Sequence, residues 1–120
     1  METKKYKIGY IYHITNCIDD KIYVGRTFYP YKRWMQHLRD AKKSNSKLYK
    51  YMRLIGIEKF TMDIISKYEL PDDIYSVCKL DTFELNEIRR IEVDRLLNTH
   101  NVLYYPNALM IAQYEKDLNK

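Results

Sequence analysis

The sequence predicts a small α+β layer fold, and three observations point to it. Short runs of alternating β-formers stand beside segments whose apolar residues recur at helical spacing. The order of these segments is two strands, two helices, a strand and a helix, which mixes the two element types rather than alternating them regularly. The length, 120 residues, suits one compact domain.

Residues 9–14, Gly-Tyr-Ile-Tyr-His-Ile, read as the first strand and residues 21–25, Lys-Ile-Tyr-Val-Gly, as the second. Asn16, Asp19 and Asp20 supply turn chemistry between them, so the pair is expected to form a hairpin. Pro30 fits the first turn of a helix, where no N–H donor is needed. Tyr31, Trp34, Leu38 and Ala41 then follow at helical spacing, and Ser44-Asn45-Ser46 breaks the pattern. Leu48, Tyr51, Met52 and Ile55 mark a second helix that Gly56 stops. Residues 60–65 read as a third strand. After a looser connection at Pro71-Asp72-Asp73, Asp81 followed by Glu84 reads as a capping box opening a third helix, expected to run to about Leu97. The chain then extends through residues 102–105 and ends in a short helix or tail from Ala108. No repeat, linker or low-complexity tract interrupts it, so residues 1–120 are expected to be a single domain with its core over about 8–107.

No apolar run approaches the roughly 18–20 residues needed to span a bilayer. The first residues lack the apolar stretch of a secretory signal. The expectation is an intracellular protein, cytoplasmic or nuclear, without a membrane partner. Cys17 and Cys78 stand far apart with no zinc-ligand spacing, so thiols are expected rather than a disulfide or metal site. The formal net charge is +5, unevenly spread. Lys32, Arg33, Arg39, Lys42, Lys43, Lys47, Lys50 and Arg53 face a single acid, Asp40, in one stretch. Acids gather later, at Glu69, Asp72, Asp73, Asp81, Glu84 and Glu87. Two readings of the basic stretch stand side by side: a grip on phosphate backbone, or a solvated helix face.

Arg33 and His37 are four apart and so share a face of the first predicted helix, beside the face that Trp34, Leu38 and Ala41 give to the core. On the third predicted helix Leu85, Ile88 and Leu96 define an apolar stripe, and Glu92 falls inside it. A carboxylate there needs a cation, a proton or strong donors. A structural salt bridge and a divalent metal would each serve. Tyr12 and Tyr23 lie on adjacent hairpin strands, where aromatic residues are favoured anyway. Gly25 would allow a ligand close to the backbone. His13 points away from Tyr12, and His100 has no evident partner.

Taken as an ordered set, these residues resemble the GIY-YIG nuclease family, most closely the catalytic domain of phage and viral homing endonucleases. Tyr10-Ile11-Tyr12 stands for the first signature triplet and Tyr23-Val24-Gly25 for the second. Arg33 and His37 follow at the family's spacing, Glu92 matches its glutamate, and Asn107 its late asparagine. Residues 47–60 carry the likeness to the homing enzymes. Tyr10 replaces the first glycine of the signature, although Gly9 precedes it. Ser46 stands where some homing relatives have a second histidine, and Arg26 where excision-repair relatives have a lysine.

The resemblance implies a three-stranded antiparallel sheet flanked by helices, and a metal-dependent endonuclease that hydrolyses phosphodiester bonds. One Mg²⁺ or Mn²⁺ would be held by Glu92, with Arg33 on a non-bridging oxygen. Tyr12 would take the proton of the attacking water, its phenol either depressed by Arg26, Arg33 and the metal or relayed to His37. Tyr23 would orient water or phosphate, and Asn107 would position site groups. A serine at position 46 leaves Arg26 and His37 more to do. Lys32, Arg39, Lys42, Lys43, Lys47, Lys50 and Arg53 would contact the backbone of DNA, with RNA the lesser expectation. Sequence specificity would come from a homodimer or a separate partner. The competing readings are a catalytically inactive nucleic-acid-binding module with the same fold, and a protein-interaction domain.

Overall fold

Asn16 makes the first turn. Its Oδ1 accepts from the Ile18 and Asp19 amides at 2.8 and 2.9 Å, and Asp19 Oδ1 accepts from the Lys21 amide at 2.9 Å. These short side chains mimic a backbone turn and reverse the chain. In the computed structural model, which describes residues 5–98, the hairpin joins β1 (Tyr6–Asn16) to β2 (Tyr23–Thr27). There follow α1 (Pro30–Asp40), α2 (Lys47–Ile55), β3 (Phe60–Pro71) and α3 (Tyr75–Arg90), with short 3₁₀ turns at Ile57–Lys59 and Val93–Arg95. The sheet is antiparallel in the order β2-β1-β3, flanked by three helices, as expected of the α+β class.

The period of two along the central strand divides the core. Ile11 turns to one face, where Val24, Leu70, Leu80, Ile88 and Ile91 pack, most of them from α3 and its ends. Tyr12 and Ile14 turn to the other, against Ala41, Leu48, Tyr49, Met52 and Phe60 from the α1–α2 side. A register irregularity between Ile11 and Tyr12 interrupts the β1–β3 pairing. Ile11 pairs with Ser66 and Tyr12 with Ile64, so the extra residue is Ile65 and the bulge lies on β3, while β1 keeps its alternation.

The helix boundaries show which local signals governed. Pro30 does occupy the first turn of α1. Ser46 caps α2 by accepting from the Tyr49 amide at 3.4 Å, and Gly56 ends it at φ 117°, a backbone conformation that disfavours any side chain. The third helix departs from expectation at both ends. It begins at Tyr75, where Asp73 Oδ1 accepts from the Tyr75 and Ser76 amides at 2.9 and 3.2 Å. Asp81 and Glu84 are therefore interior, not a capping box. It ends at Arg90, and Ile91 is extended at φ −94° and ψ 141°. Glu92 thus lies on no helix and is exposed, which corrects the buried-stripe placement. The chain instead runs back along the sheet, with an isolated parallel bridge between Ile22 and Leu96.

Cys17 and Cys78 are both thiols. Among the described residues no helix is long and apolar enough to cross a membrane. The expected extended stretch at 102–105, the short helix or tail from Ala108, His100 and Asn107 lie outside the described residues.

Candidate active site

Tyr12 is wholly buried near the middle of β1, directly across from Gly25 on β2. Its ring lies over that glycine so closely that a Cβ there would overlap the phenol carbon and oxygen. The missing side chain of Gly25 therefore accommodates the protein's own tyrosine, rather than a ligand as the sequence suggested. Tyr23, two residues earlier on the same strand face, stands with its ring 6.4 Å from that of Tyr12.

Helix α1 drops His37 between the two rings. The imidazole is fully buried, 5.8 Å from Tyr12 and 5.6 Å from Tyr23, both edge-on. Its Nε2 lies 2.7 Å from the Tyr12 hydroxyl and its Nδ1 2.8 Å from the Tyr49 hydroxyl. Burial, aided by the nearby Arg33 guanidinium, pushes the His37 pKa down to about 3, so the ring is neutral. A neutral ring gives one nitrogen a proton and leaves the other an acceptor. The row Tyr12–His37–Tyr49 can then be polarised in either direction, with every member satisfied.

Both phenols resist ionisation. Burial raises Tyr12, and the neighbouring Tyr23 adds to the effect, while Arg33 pulls the other way. Burial also raises Tyr23, followed by the charge of Glu84, with Arg33 and Arg26 opposing. The expectation that Arg26, Arg33 and a metal depress the Tyr12 phenol thus meets a contrary result: desolvation outweighs the cations.

Glu84 reaches this cluster from α3. The sequence reading did not assign it to the site. It sits four residues after Leu80 and four before Ile88, both buried, so it lies within the true apolar stripe of α3. Burial raises its carboxyl above the usual range, while Arg26 and Arg33 draw it back. Its Oε2 is 3.8 Å from Arg26 Nε, and the same Arg26 nitrogen donates to Asp81 one turn earlier on α3. The signal that pointed to Glu92, a carboxylate inside an apolar stripe, was sound in kind. Glu84, not Glu92, is the glutamate that falls on the stripe, because α3 ends at Arg90, where neither Gly nor Pro announces the end.

The structure therefore brings together Tyr12, Tyr23, Arg26, Arg33 and His37, adds Glu84 and Tyr49, and leaves Glu92 apart. Ser46 joins the edge, lining a small cavity of about 190 Å³ with Tyr23, Arg33 and Tyr49. Near Glu92, Asn98 is buried and clamps the outer strand: its Oδ1 accepts from the Val24 amide at 2.8 Å and its Nδ2 donates to the Val24 carbonyl at 2.7 Å.

The basic stretch divides. Lys32, Arg39, Lys42, Lys43, Lys47, Lys50 and Arg53 are all exposed, but two of them also make hydrogen bonds within the chain. Lys47 donates to the Leu96 carbonyl at 2.9 Å, and Arg53 to the Ala41 and Ser44 carbonyls at 2.8 and 2.7 Å. Those two side chains brace the fold. His13 also proves structural, 2.6 Å from Glu87, which pairs in turn with Arg90 at 2.7 Å.

The GIY-YIG catalytic domain matches residues 8–90, a stretch that includes Glu84 and stops short of Glu92. An uncharacterized protein of Invertebrate iridescent virus 6, 019R, is 34% identical over 85 residues, which are 69% of this chain and 29% of that protein. The chain thus spans less than a third of the length of that relative. No solved structure matches the chain significantly. With the signature tyrosines, Arg33 and His37 gathered in one cluster inside the matched stretch, the chain belongs to the GIY-YIG catalytic-domain family, a family of nucleases.

Proposed function

We propose that the protein is a metal-dependent endonuclease acting on DNA, with Glu84 as the metal-holding carboxylate. The observation that carries this reading is the meeting of a neutral hydroxyl–imidazole relay, Tyr12–His37–Tyr49, with a half-buried carboxylate and two guanidinium groups. That is a proton acceptor, a phosphate clamp and a hard-cation ligand within one cluster.

The donor chemistry fits a single Mg²⁺ or Mn²⁺. Such ions keep most of their water and use one or two carboxylates together with substrate phosphate oxygens. Among the described residues no group of three His, Cys, Asp or Glu could enclose a metal, so Glu84 and the substrate would share the task. When bound, the ion would neutralise charge on the phosphate and on the leaving oxygen. Arg33 would hold a non-bridging oxygen through its planar fork, and Arg26 would balance Glu84 and Asp81 at the edge.

Water attack needs its proton removed as the new P–O bond forms and the P–O3′ bond breaks. Tyr12 is too basic to wait as a phenolate at neutral pH. It would instead accept the proton of water while handing its own to His37 Nε2, across the 2.7 Å hydrogen bond. Nδ1 of the resulting imidazolium would donate to Tyr49. Arriving phosphate charge offsets Arg33 and makes that cation easier to form. The leaving oxygen would take its proton from solvent. Lys32, Arg39, Lys42, Lys43 and Lys50 would grip flanking phosphates with steep salt dependence.

A nicking assay on supercoiled plasmid tests this reading. The expected result is cleavage with Mg²⁺ or Mn²⁺ and none with EDTA. Salt-sensitive binding without cleavage under any of these conditions would leave a nucleic-acid-binding module instead.

A further inference from the structure

Two tyrosines at the β2–α1 corner have no role in the cluster above. Tyr29 is 66% exposed and Tyr31 77% exposed, although rings of this size normally find apolar cover. They line an open groove of about 630 Å³ with Lys32, Arg33, Met35 and Arg39. Three of those neighbours are cationic, and no acid lines the groove. Lys32 Nζ sits 5.5 Å from the centre of the Tyr29 ring. Tyr29 also occupies the N-cap of α1 with no side-chain cap, where Ser, Thr, Asp or Asn would supply a hydrogen bond. The helix start thus forgoes local stabilisation at the position that displays the ring.

Arg33 lines this groove and also the small cavity beside Tyr23 and Ser46. It is therefore the hinge between the reacting phosphate, on the nuclease reading above, and the exposed rings. A nucleotide next to a phosphate held at Arg33 would come within reach of the aromatic groove. Paired bases hide their faces in the duplex stack, whereas an unpaired base offers its face to an aromatic ring. Exposed aromatic rings beside cations, with no acid near, suit a base and its flanking phosphates together. We infer that the groove of Tyr29 and Tyr31 binds an unpaired base adjacent to the scissile phosphate, so that the preferred substrate is single-stranded or distorted where it is cut. Lys32 and Arg39 hold the phosphates on either side of that base.

The test uses the full chain in EDTA, so that binding is read apart from cleavage. Fluorescence anisotropy would compare a short oligothymidylate, the same oligonucleotide with abasic sites at its centre, and a matched duplex, each at two salt concentrations. Stacking of one base on an aromatic ring corresponds to roughly 5- to 150-fold in affinity. The wild-type chain is expected to bind the intact oligonucleotide about tenfold more tightly than the abasic one. The doubly substituted Tyr29→Ala, Tyr31→Ala chain is expected to lose that ratio, and the Tyr29→Phe, Tyr31→Phe chain to keep it. Salt slopes should be alike for both oligonucleotides, because phosphate contacts are common to them. Equal affinity of the wild type for the two would overturn the proposal, whatever the fate of the variants. So would a ratio that survives the alanine substitutions, or a groove whose occupant proves to be a protein indifferent to bases. If the base-dependent ratio appears but no metal yields cleavage, the nuclease reading fails and the base site stands. If plasmid is cut but the ratio is absent, the reverse holds.

Discussion

On the α1–α2 side of the sheet the innermost polar groups are neutral and bonded to one another: Tyr12, His37 and Tyr49 form a row inside the core, with the Arg33 guanidinium at its edge. On the α3 side arginines meet carboxylates: Arg26 with Asp81 and Glu84, and Arg90 with Glu87, which His13 also contacts. A deeply buried face cannot hold isolated charges cheaply, so it stores proton-transfer groups in their uncharged forms. The other face keeps its ions closer to water and pairs them. Glu84 crosses the division, since its charge is felt by both Tyr12 and Tyr23. The difference teaches that the neutral hydroxyl–imidazole row and the carboxylates of the cluster rest on separate layers, and that β2, which carries Tyr23 and Arg26, lies between them.

The contrast can be broken from the charged side first. With Glu84 holding the metal as proposed, Glu84→Gln would remove several kcal/mol of metal-derived stabilisation, so plasmid nicking should fall by about a thousandfold. Salt-dependent binding should survive. Loss of that size in Glu92→Gln, with Glu84→Gln still active, would return the metal to the exposed carboxylate.

Next comes the seam between the layers. Gly25→Ala would place a methyl group where the Tyr12 ring lies and force the ring off its seat. A displacement on the ångström scale can cost about 100-fold in rate. Single-turnover cleavage should show it, with substrate affinity much less changed. An undiminished rate would mean that the ring has no need of this position.

The smallest effect sharpens the neutral side. The unfolded chain protonates His37 near its ordinary 6.5, whereas the folded chain refuses the proton until about pH 3. The unfolded state therefore binds more protons in this window, and stability falls as pH falls below about 6.5, by up to about 1.4 kcal/mol per pH unit. Glu84, raised in the folded state, acts with the opposite sign and gives back some stability as it protonates. Urea midpoints from pH 7 to pH 5 should slope more steeply in the wild type than in His37→Asn. Parallel slopes would show that the imidazole is not held neutral.

Much of this was legible from residue types alone. The hairpin, Pro30 at the start of α1, Gly56 at the end of α2 and the shared face of Arg33 and His37 are local, and local chemistry decided them. β1 and β3 proved longer than their alternating cores suggested, because pairing between them continues along both, whereas β2 kept its length and shifted by two residues. The placement of Glu92 on a buried helical stripe failed for a tertiary reason. Ile91 leaves the helix without a Gly or Pro signal, so the register of the stripe could not be followed past Arg90. Tyr49 was unreadable as a member of the relay, because nothing in its own surroundings in sequence shows that it meets His37 from another helix. The dominance of burial over Arg33 at Tyr12 likewise depends on packing that only the folded chain reveals.

Asn98 carries a consequence for assembly. β2 is an outer strand, and a bare outer strand invites another chain to extend the sheet. The carboxamide of Asn98 occupies both the N–H and the C=O of Val24, and the Ile22–Leu96 bridge covers the neighbouring stretch. The start of β2, through Val24, is thereby closed to edge-to-edge pairing without proline, so another chain meeting this part of the border would have to be held by side chains rather than by sheet extension.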